Sequence, residues 1–141
     1  MIFPVLTLAA TAVLTLIFLG LGINVTRHRI STRISLGDGS QNYSMGDEKS
    51  APRLFVASRS LANFAEYVPL SLMLLLIIET VGAPHWAVAT LAAMLVVGRL
   101  MHLIGMQLPA PNPFRAGGIL LQWLFLLLGA IYGLLLVPGL L

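Results

Sequence analysis

The sequence predicts an all-α membrane protein, an antiparallel up-down bundle of four transmembrane helices. The 141 residues are 58% hydrophobic and only 9% charged, whereas soluble domains carry roughly 25% charged residues. Four apolar runs each reach the ~20 residues that a helix needs to cross a bilayer. Proline, glycine or polar residues separate the runs, so the chain can reverse direction between them. At this length we expect a single domain, 1–141.

The four apolar runs predict helices near 2–24, 54–79, 86–106 and 116–137. Positive charges follow the first run instead of preceding it, which is typical of a retained anchor and not of a cleaved signal peptide. The second run is charged only in its first half. A tight turn over 79–85 joins it to the third run, and the prolines within 107–113 separate the third run from the fourth.

The distribution of positive charge predicts the orientation of the bundle. The connection 27–53 carries five Lys or Arg residues, and the loop 107–116 carries Arg115. The loop between the second and third helices carries none, and neither do the two tails. By the positive-inside rule, both basic loops lie in the cytosol and both termini lie on the far side of the membrane.

Several function classes are excluded or not favoured. The chain has no cysteine, so it forms no disulfide and offers no thiolate nucleophile of its own. Its net charge of +3 forms no basic stripe, so nucleic-acid binding is not expected. His102 has no second ligand residue at metal-binding spacing, so no metal is expected. A transporter is not favoured, because the polar residues stop halfway across the bilayer.

Polar side chains on the second and third helices are predicted to lie at one depth. Arg59, Asn63 and Glu66 are spaced at i, i+4 and i+7, so they share one helical face. Arg99 and His102 are spaced at i, i+3 on the third helix. With a rise of ~1.5 Å per residue, Glu66 and Arg99 each lie on the order of 10 Å from the cytosolic border. The sequence therefore predicts one cluster, with Glu66 beside Arg99 or Arg59.

Each of these residues also has an interpretation that needs no ligand. Glu66 and Arg99 could neutralise each other as a structural ion pair. Arg59 could extend to the lipid headgroups, and Asn63 and His102 could be packing contacts between helices. The loop arginines could serve only to orient the protein. The excess of arginine favours a ligand, because one carboxylate cannot neutralise several arginines and an anion would.

Three motifs resemble the MAPEG family, membrane-associated proteins in eicosanoid and glutathione metabolism. The segment 59–69 is similar to the family's helix-two signature, R-x3-N-x2-E-[YF]-x-P. The segment 98–102 resembles the G/A-R-x-x-H/Y motif of the third helix. The segment 112–115 resembles the region of the loop arginine in microsomal glutathione transferases. The likeness runs from about Arg27 to the fourth helix and is closest to a short bacterial branch.

The resemblance implies a homotrimer that binds glutathione, a co-substrate, between neighbouring subunits near the cytosolic face. The residues implied to bind glutathione are Arg27, Arg59, Asn63, Glu66, Tyr67, Arg99 and His102. Arg27 would reach in from the adjacent subunit. Arg115 is the implied catalytic residue, because a cation beside a thiol favours the thiolate, which is the nucleophile. The implied activity is a glutathione transferase or a peroxidase-like enzyme that acts on lipophilic electrophiles.

The alternative is a non-catalytic lipid-binding or scaffold member of the same family. His102 and Met106 stand where some family enzymes carry a pair of tyrosines. The presence of Arg115 favours the enzyme over the scaffold. The expected partners are other copies of the chain, membrane lipid and a lipophilic small-molecule substrate, without nucleic acid or metal. The expected location is the bacterial inner membrane.

Overall fold

The structure is a computed structural model that describes residues 3–40 and 52–139. Within these residues the chain forms four long helices and no strand. They are α1 (Val5–Thr32), α2 (Arg53–Thr80), α3 (His85–Gln107) and α4 (Pro113–Leu136), with a short 3-10 turn at Val137–Gly139. All four helices are long and apolar enough to cross a membrane. The predicted all-α four-helix fold is confirmed. Residues 41–51, with Lys49 of the predicted cytosolic loop, lie outside the described residues.

Proline marks the start of every long helix. Pro4, Pro52 and Pro84 occupy the N-cap positions of the first three helices. Pro113 is the first residue of α4. A helix start leaves its first amide groups without partners in the helix, so a residue that has no amide hydrogen is tolerated there.

The first helix extends beyond its predicted end at residue 24. It continues to Thr32 and ends at Arg33, whose backbone adopts the left-handed conformation with φ of 57°. Its 28 residues span about 42 Å at ~1.5 Å per residue, which exceeds the ~30 Å hydrocarbon core. The predicted end at residue 24 is the end of the apolar run, so it marks the membrane border and not the end of the helix. The helix itself continues because no proline or glycine follows before residue 37.

The helices pack in antiparallel order, because the start of α1 lies against the end of α2 and short connections join α2 to α3 and α3 to α4. The contact between α3 and α4 is the most extensive, followed by that between α1 and α2. Buried apolar side chains from all four helices form the centre of the bundle, namely Leu14, Phe64, Leu75, Leu95 and Phe125. Large apolar side chains such as Leu16, Trp86 and Leu134 remain exposed, as the lipid-facing surface of a membrane protein requires.

The bundle has two ends with different chemistry. The arginine-rich end is formed by the C-terminal part of α1, the N-terminal part of α2 and the α3–α4 connection. It carries Arg27, Arg59 and Arg115. The opposite end is formed by the start of α1 and the α2–α3 turn, and Glu79 is its one described carboxylate. By the distribution of charge, the arginine-rich end is the predicted cytosolic end.

Candidate ligand-binding site

Arg99 is the most deeply buried charged side chain at the arginine-rich end. It is 1% exposed, and its Nη1 donates a hydrogen bond of 3.2 Å to Oδ1 of Asn63 on α2. Its guanidinium carbon lies 5.2 Å from the centre of the Tyr67 ring, within cation–π distance. Among the described residues, its Nε and Nη2 atoms have no hydrogen-bond partner. Buried polar groups are normally hydrogen-bonded, and the described residues do not provide an acceptor for these two nitrogens.

His102 lies one turn after Arg99 and points toward the start of α4. Its Nδ1 is 3.3 Å from the backbone oxygen of Arg115. Because a carbonyl oxygen only accepts, Nδ1 carries the proton in this hydrogen bond. In the neutral ring, Nε2 is then an acceptor, and it is buried without a partner in the part of the chain that the structure describes. His102 therefore joins α3 to α4 and leaves a second polar atom unsatisfied.

The first turn of α4 holds Arg115, and Asn112 caps that turn. Oδ1 of Asn112 accepts a 2.9 Å hydrogen bond from the amide of Arg115. Nδ2 of Asn112 donates to the backbone oxygens of Gly105 at 2.9 Å and Pro109 at 3.2 Å. Asparagine is among the best N-cap residues, because its side chain replaces the acceptor that the helix cannot provide. The Arg115 side chain is half-buried beside the end of α3.

Glycines allow α3 and α4 to approach closely at this end. A Cβ at Gly118 would overlap the backbone of His102 and the carbonyl oxygen of Gly98. A Cβ at Gly105 would overlap the backbone of Arg115. Small residues permit this kind of backbone contact between helices in membranes, where packing drives association. The glycines thus bring the third-helix pair, Arg99 and His102, next to the start of α4.

Three of the predicted binding residues lie on the surface of the single chain. Arg59 and Glu66 on α2 and Arg27 on α1 are exposed. In the described residues, no ion pair forms at the Glu66 carboxylate, so the prediction that Glu66 lies beside Arg99 or Arg59 is wrong for one chain. The reason is the direction of the helical face. Asn63 faces α3 and contacts Arg99, while Glu66 lies around the helix on the exposed side.

The short segment before residue 41 lies near the start of α2. Ser40 donates a 2.6 Å hydrogen bond from its hydroxyl to Oδ1 of Asp38. This bond and one from the Ser40 amide hold the pKa of Asp38 below its usual value, and the charge of Arg59 lowers it slightly further. The Asp38 carboxylate is therefore stabilised mainly by the two hydrogen bonds from Ser40.

Within one chain, the predicted site residues divide into two groups. Asn63, Tyr67 and Arg99 form a contact cluster in the interior, and His102 connects it to the backbone of Arg115. The second group, Arg27, Arg59 and Glu66, faces outward at the same end. A charged side chain that faces the hydrocarbon region is costly, whereas an arginine near the membrane border can extend to the lipid headgroups.

Comparison with known proteins places the chain in a family. The model of the MAPEG family matches residues 7–135, which is most of the sequence. The chain belongs to the MAPEG family. It is 31% identical over 123 residues to the inner membrane protein YecN of Escherichia coli strain K12, a match covering 87% of this chain and 86% of that protein. YecN of Escherichia coli O6:H1 matches with the same identity and coverage. No solved structure matches.

The comparisons confirm two sequence predictions for this MAPEG chain. The family assignment follows from the matched residues, which include every segment that carried the resemblance. The chain is a multi-pass integral membrane protein, and its inner-membrane location agrees with the relatives of that description. The names of these relatives state no activity.

The sequence interpretation missed two buried polar contacts of this MAPEG chain. Both oxygens of Glu79 accept hydrogen bonds from the first turn of α1, from the amides of Leu6 at 2.9 Å and Thr7 at 2.7 Å. Nε2 of Gln122 donates a 2.8 Å hydrogen bond to the hydroxyl of Ser71, and both side chains are fully buried. A lone glutamine in an apolar run and a carboxylate at a helix end were the available signals.

Proposed function

We propose that this MAPEG chain is a glutathione-dependent transferase that binds glutathione, or a similar anionic thiol, at its arginine-rich end. The observation that carries the proposal is the state of Arg99. It is buried, it lies between Asn63 and Tyr67, and two of its nitrogens have no acceptor among the described residues. A ligand with carboxylate groups supplies such acceptors, and charge-assisted hydrogen bonds are the strong ones.

The charge balance of this end supports an anionic ligand. Arg27, Arg59 and Arg115 lie at the same end as Arg99, and Glu66 is the carboxylate of the helix-two signature among them. Because Glu66 forms no ion pair among the described residues, its carboxylate is available to an amino group of the ligand. Glutathione has both kinds of group, two carboxylates and an amine, besides its thiol.

The proposed chemistry uses the thiol of the ligand, since the chain has no cysteine of its own. Arg115 stabilises the thiolate, which carries the negative charge, relative to the thiol with its usual pKa near ~8.5. The released proton passes to solvent at the membrane border. The thiolate attacks an electrophilic carbon of a lipophilic substrate, a carbon–sulfur bond forms, and the leaving group departs with its electron pair. The bilayer delivers the lipophilic substrate to this depth.

We propose in addition that the complete site forms between copies of the chain in a homotrimer. Arg59 and Glu66 are exposed on α2, and a membrane helix does not leave such a pair facing lipid without a partner. A neighbouring copy would cover this surface, and its Arg27 would complete the ligand contacts. Native mass measurement in mild detergent, together with cross-linking, tests this directly. A protein that is only monomeric or dimeric under both conditions rules out the homotrimer.

The main experiment measures glutathione binding to the purified protein in detergent and then its conjugation to a lipophilic aryl halide. Arg59→Ala and Glu66→Ala should each weaken binding roughly ten- to a hundredfold, the effect of losing one charge-assisted contact of about 1.5–3 kcal/mol. Arg115→Ala should lower the conjugation rate far more than the affinity. Arg53→Ala is the matched control, because it removes an exposed arginine from the same end.

Two outcomes would contradict this proposal. If the unmodified protein binds no thiol at millimolar concentration, the transferase is ruled out. The alternative, a non-catalytic lipid-binding member, then has support from one feature of the surface. An apolar groove runs along α1 from Thr15 to Arg27, and an acyl chain with an anionic headgroup fits its apolar length and its basic end. If Arg115→Ala leaves the rate and the thiolate absorbance unchanged, the role of Arg115 is wrong.

A further inference from the structure

The residue before α4 makes more hydrogen bonds than a helix cap needs. Asn112 accepts from the amide of Arg115 and donates from its Nδ2 to two backbone oxygens, those of Gly105 and Pro109. The bond from the amide of Arg115 caps α4, whereas the bond to the oxygen of Gly105 joins Asn112 to the last turn of α3. One side chain thereby joins the end of α3, the connection and the start of α4.

Two residues of α3 contact the same backbone unit from another direction. Nδ1 of His102 donates to the backbone oxygen of Arg115 at 3.3 Å. Gly105 lies so close to the backbone amide and Cα of Arg115 that a Cβ would overlap both. The amide of Arg115 is therefore hydrogen-bonded to Asn112 and its carbonyl to His102, while Gly105 packs against its amide and Cα.

We propose that Asn112 is a positioning residue for Arg115. Asn112, Gly105 and His102 together form a clamp on the backbone of Arg115. The proposal rests on the proposed function of Arg115 as the group that stabilises the ligand thiolate. Fixing the backbone of Arg115 fixes the direction of its Cα–Cβ bond, and so limits where the guanidinium can lie. The same clamp assigns His102 to the support of Arg115, whereas the sequence predicted direct contact with glutathione.

A clamp is needed here because the connection has little other regular structure. The amide of Leu108 bonds to the oxygen of Gly105, and the oxygen of Asn112 accepts from Ala116, but residues 109–111 of this described connection make no backbone–backbone hydrogen bond. The first turn of a helix also has amides that lack partners inside the helix, so this turn frays readily when the cap is lost. In a reaction that depends on positioned groups, displacement of a catalytic charge by about 1 Å is enough to lower the rate on the order of a hundredfold.

The first measurement of the test reports the mobility of residue 115 and does not depend on glutathione binding or catalysis. Because the chain has no cysteine, Arg115→Cys provides a unique site for a spin label, and Leu120→Cys, exposed on the same helix, provides the reference site. Label mobility is measured without glutathione in the otherwise unchanged protein and with Asn112→Ala or Asn112→Ser added. Serine is a good N-cap but lacks the Nδ2 donors. Asn24→Ala on α1 is the matched control.

The second measurement is the pKa of the bound glutathione thiol in the protein that retains Arg115. We expect Asn112→Ala to raise the mobility at position 115 but not at 120. We also expect it to raise the thiol pKa and lower the rate roughly tenfold, toward the values of Arg115→Ala, with glutathione affinity changed less than about threefold. Asn112→Ser should give a label mobility and a thiol pKa between those of Asn112→Ala and the unmodified protein. Asn24→Ala should change neither the mobility nor the thiol pKa.

The outcomes distinguish this proposal from the proposed function. Unchanged mobility at position 115 in both Asn112 variants overturns the clamp. The clamp is also overturned if the Asn112 variants raise the label mobility but leave the thiol pKa at the value of the unmodified protein, while Arg115→Ala raises that pKa. In that case Arg115 reaches its position without Asn112. If Arg115→Ala leaves the thiol pKa unchanged, or no thiol binds, the proposed function fails, and Asn112 is then not a positioning residue for catalysis.

Discussion

The two ends of the bundle each bury one charged side chain, and they differ in how that charge is satisfied. At the opposite end, Glu79 is 4% exposed and both of its oxygens accept hydrogen bonds from the first turn of α1. At the arginine-rich end, Arg99 is 1% exposed but makes one hydrogen bond and one ring contact, with two nitrogens unpartnered among the described residues.

This difference distinguishes a charge that the described residues satisfy fully from one that they satisfy in part. Glu79 needs nothing from outside the chain, since the amides at the start of α1 and the positive end of its helix dipole balance the carboxylate. Among the described residues Arg99 has an acceptor for Nη1 only, so its burial is more favourable if a ligand, water or a neighbouring copy supplies acceptors for Nε and Nη2. Burial of a charge therefore does not identify a site by itself, and we propose that burial with unpartnered donors does.

The largest expected effect on stability is at Glu79. Glu79→Ala should lower the free energy of unfolding by about 3 kcal/mol, because two charge-assisted hydrogen bonds to the start of α1 are lost. Unfolding by a denaturing detergent, followed by helix content, measures the change. Glu79→Gln should cost less, since one carbonyl oxygen remains as an acceptor. Thr80→Ala, which removes an exposed hydroxyl bonded only within its own helix, is the control.

A stability loss at Glu79 with normal glutathione binding at full occupancy would agree with a purely structural role. Unchanged unfolding in both Glu79 variants would show that the start of α1 is held by packing and not by the carboxylate. A glutathione-binding defect in a folded Glu79→Gln protein would contradict the separation of the two ends.

The reverse pattern is expected at Arg99. Arg99→Met keeps much of the side-chain volume and removes a buried charge that the described residues satisfy only in part, so the free energy of unfolding should change by less than about 1 kcal/mol. Glutathione binding should weaken roughly ten- to a hundredfold. Titration of glutathione and detergent unfolding on the same preparation give both numbers. A large loss of stability with unchanged binding would make Arg99 a structural residue.

The sequence was sufficient for the membrane fold and for part of the site. Apolar runs and breakers predict the four helices, because membrane helices follow the thickness of the bilayer. The motif spacing identified Asn63, Tyr67 and Arg99, which the structure brings together. The pairing of Glu66 could not be predicted correctly, because equal depth does not fix the rotation of a helix. The structural role of Glu79 was missed because its partners, Leu6 and Thr7, are backbone amides far away in the sequence.

The close contact of α3 and α4 was also beyond the sequence. Gly98 and Gly105 lie on α3 and Gly118 lies on α4, so no motif within one span connects the two sides of the contact. Asn112 directly before Pro113 is a recognisable helix start, and this signal could have placed the start of α4 at its observed position instead of residue 116. The anchoring bonds of Asn112 to α3 depend on the tertiary contact, which only the structure provides.

The smallest expected effect is at Gln122, and it tests the rule drawn from Arg99. Gln122 is fully buried, its Nε2 bonds to Ser71, and its Oε1 has no partner among the described residues. It is neutral, so its unpartnered oxygen costs less than an unpartnered charge and does not require an anion. Gln122→Met should change the free energy of unfolding by less than about 1 kcal/mol and leave glutathione affinity within about twofold of the unmodified protein. Comparable loss of affinity in Gln122→Met and Arg99→Met would show that an unpartnered buried atom does not locate the ligand, and the distinction between the two ends would then rest on charge alone.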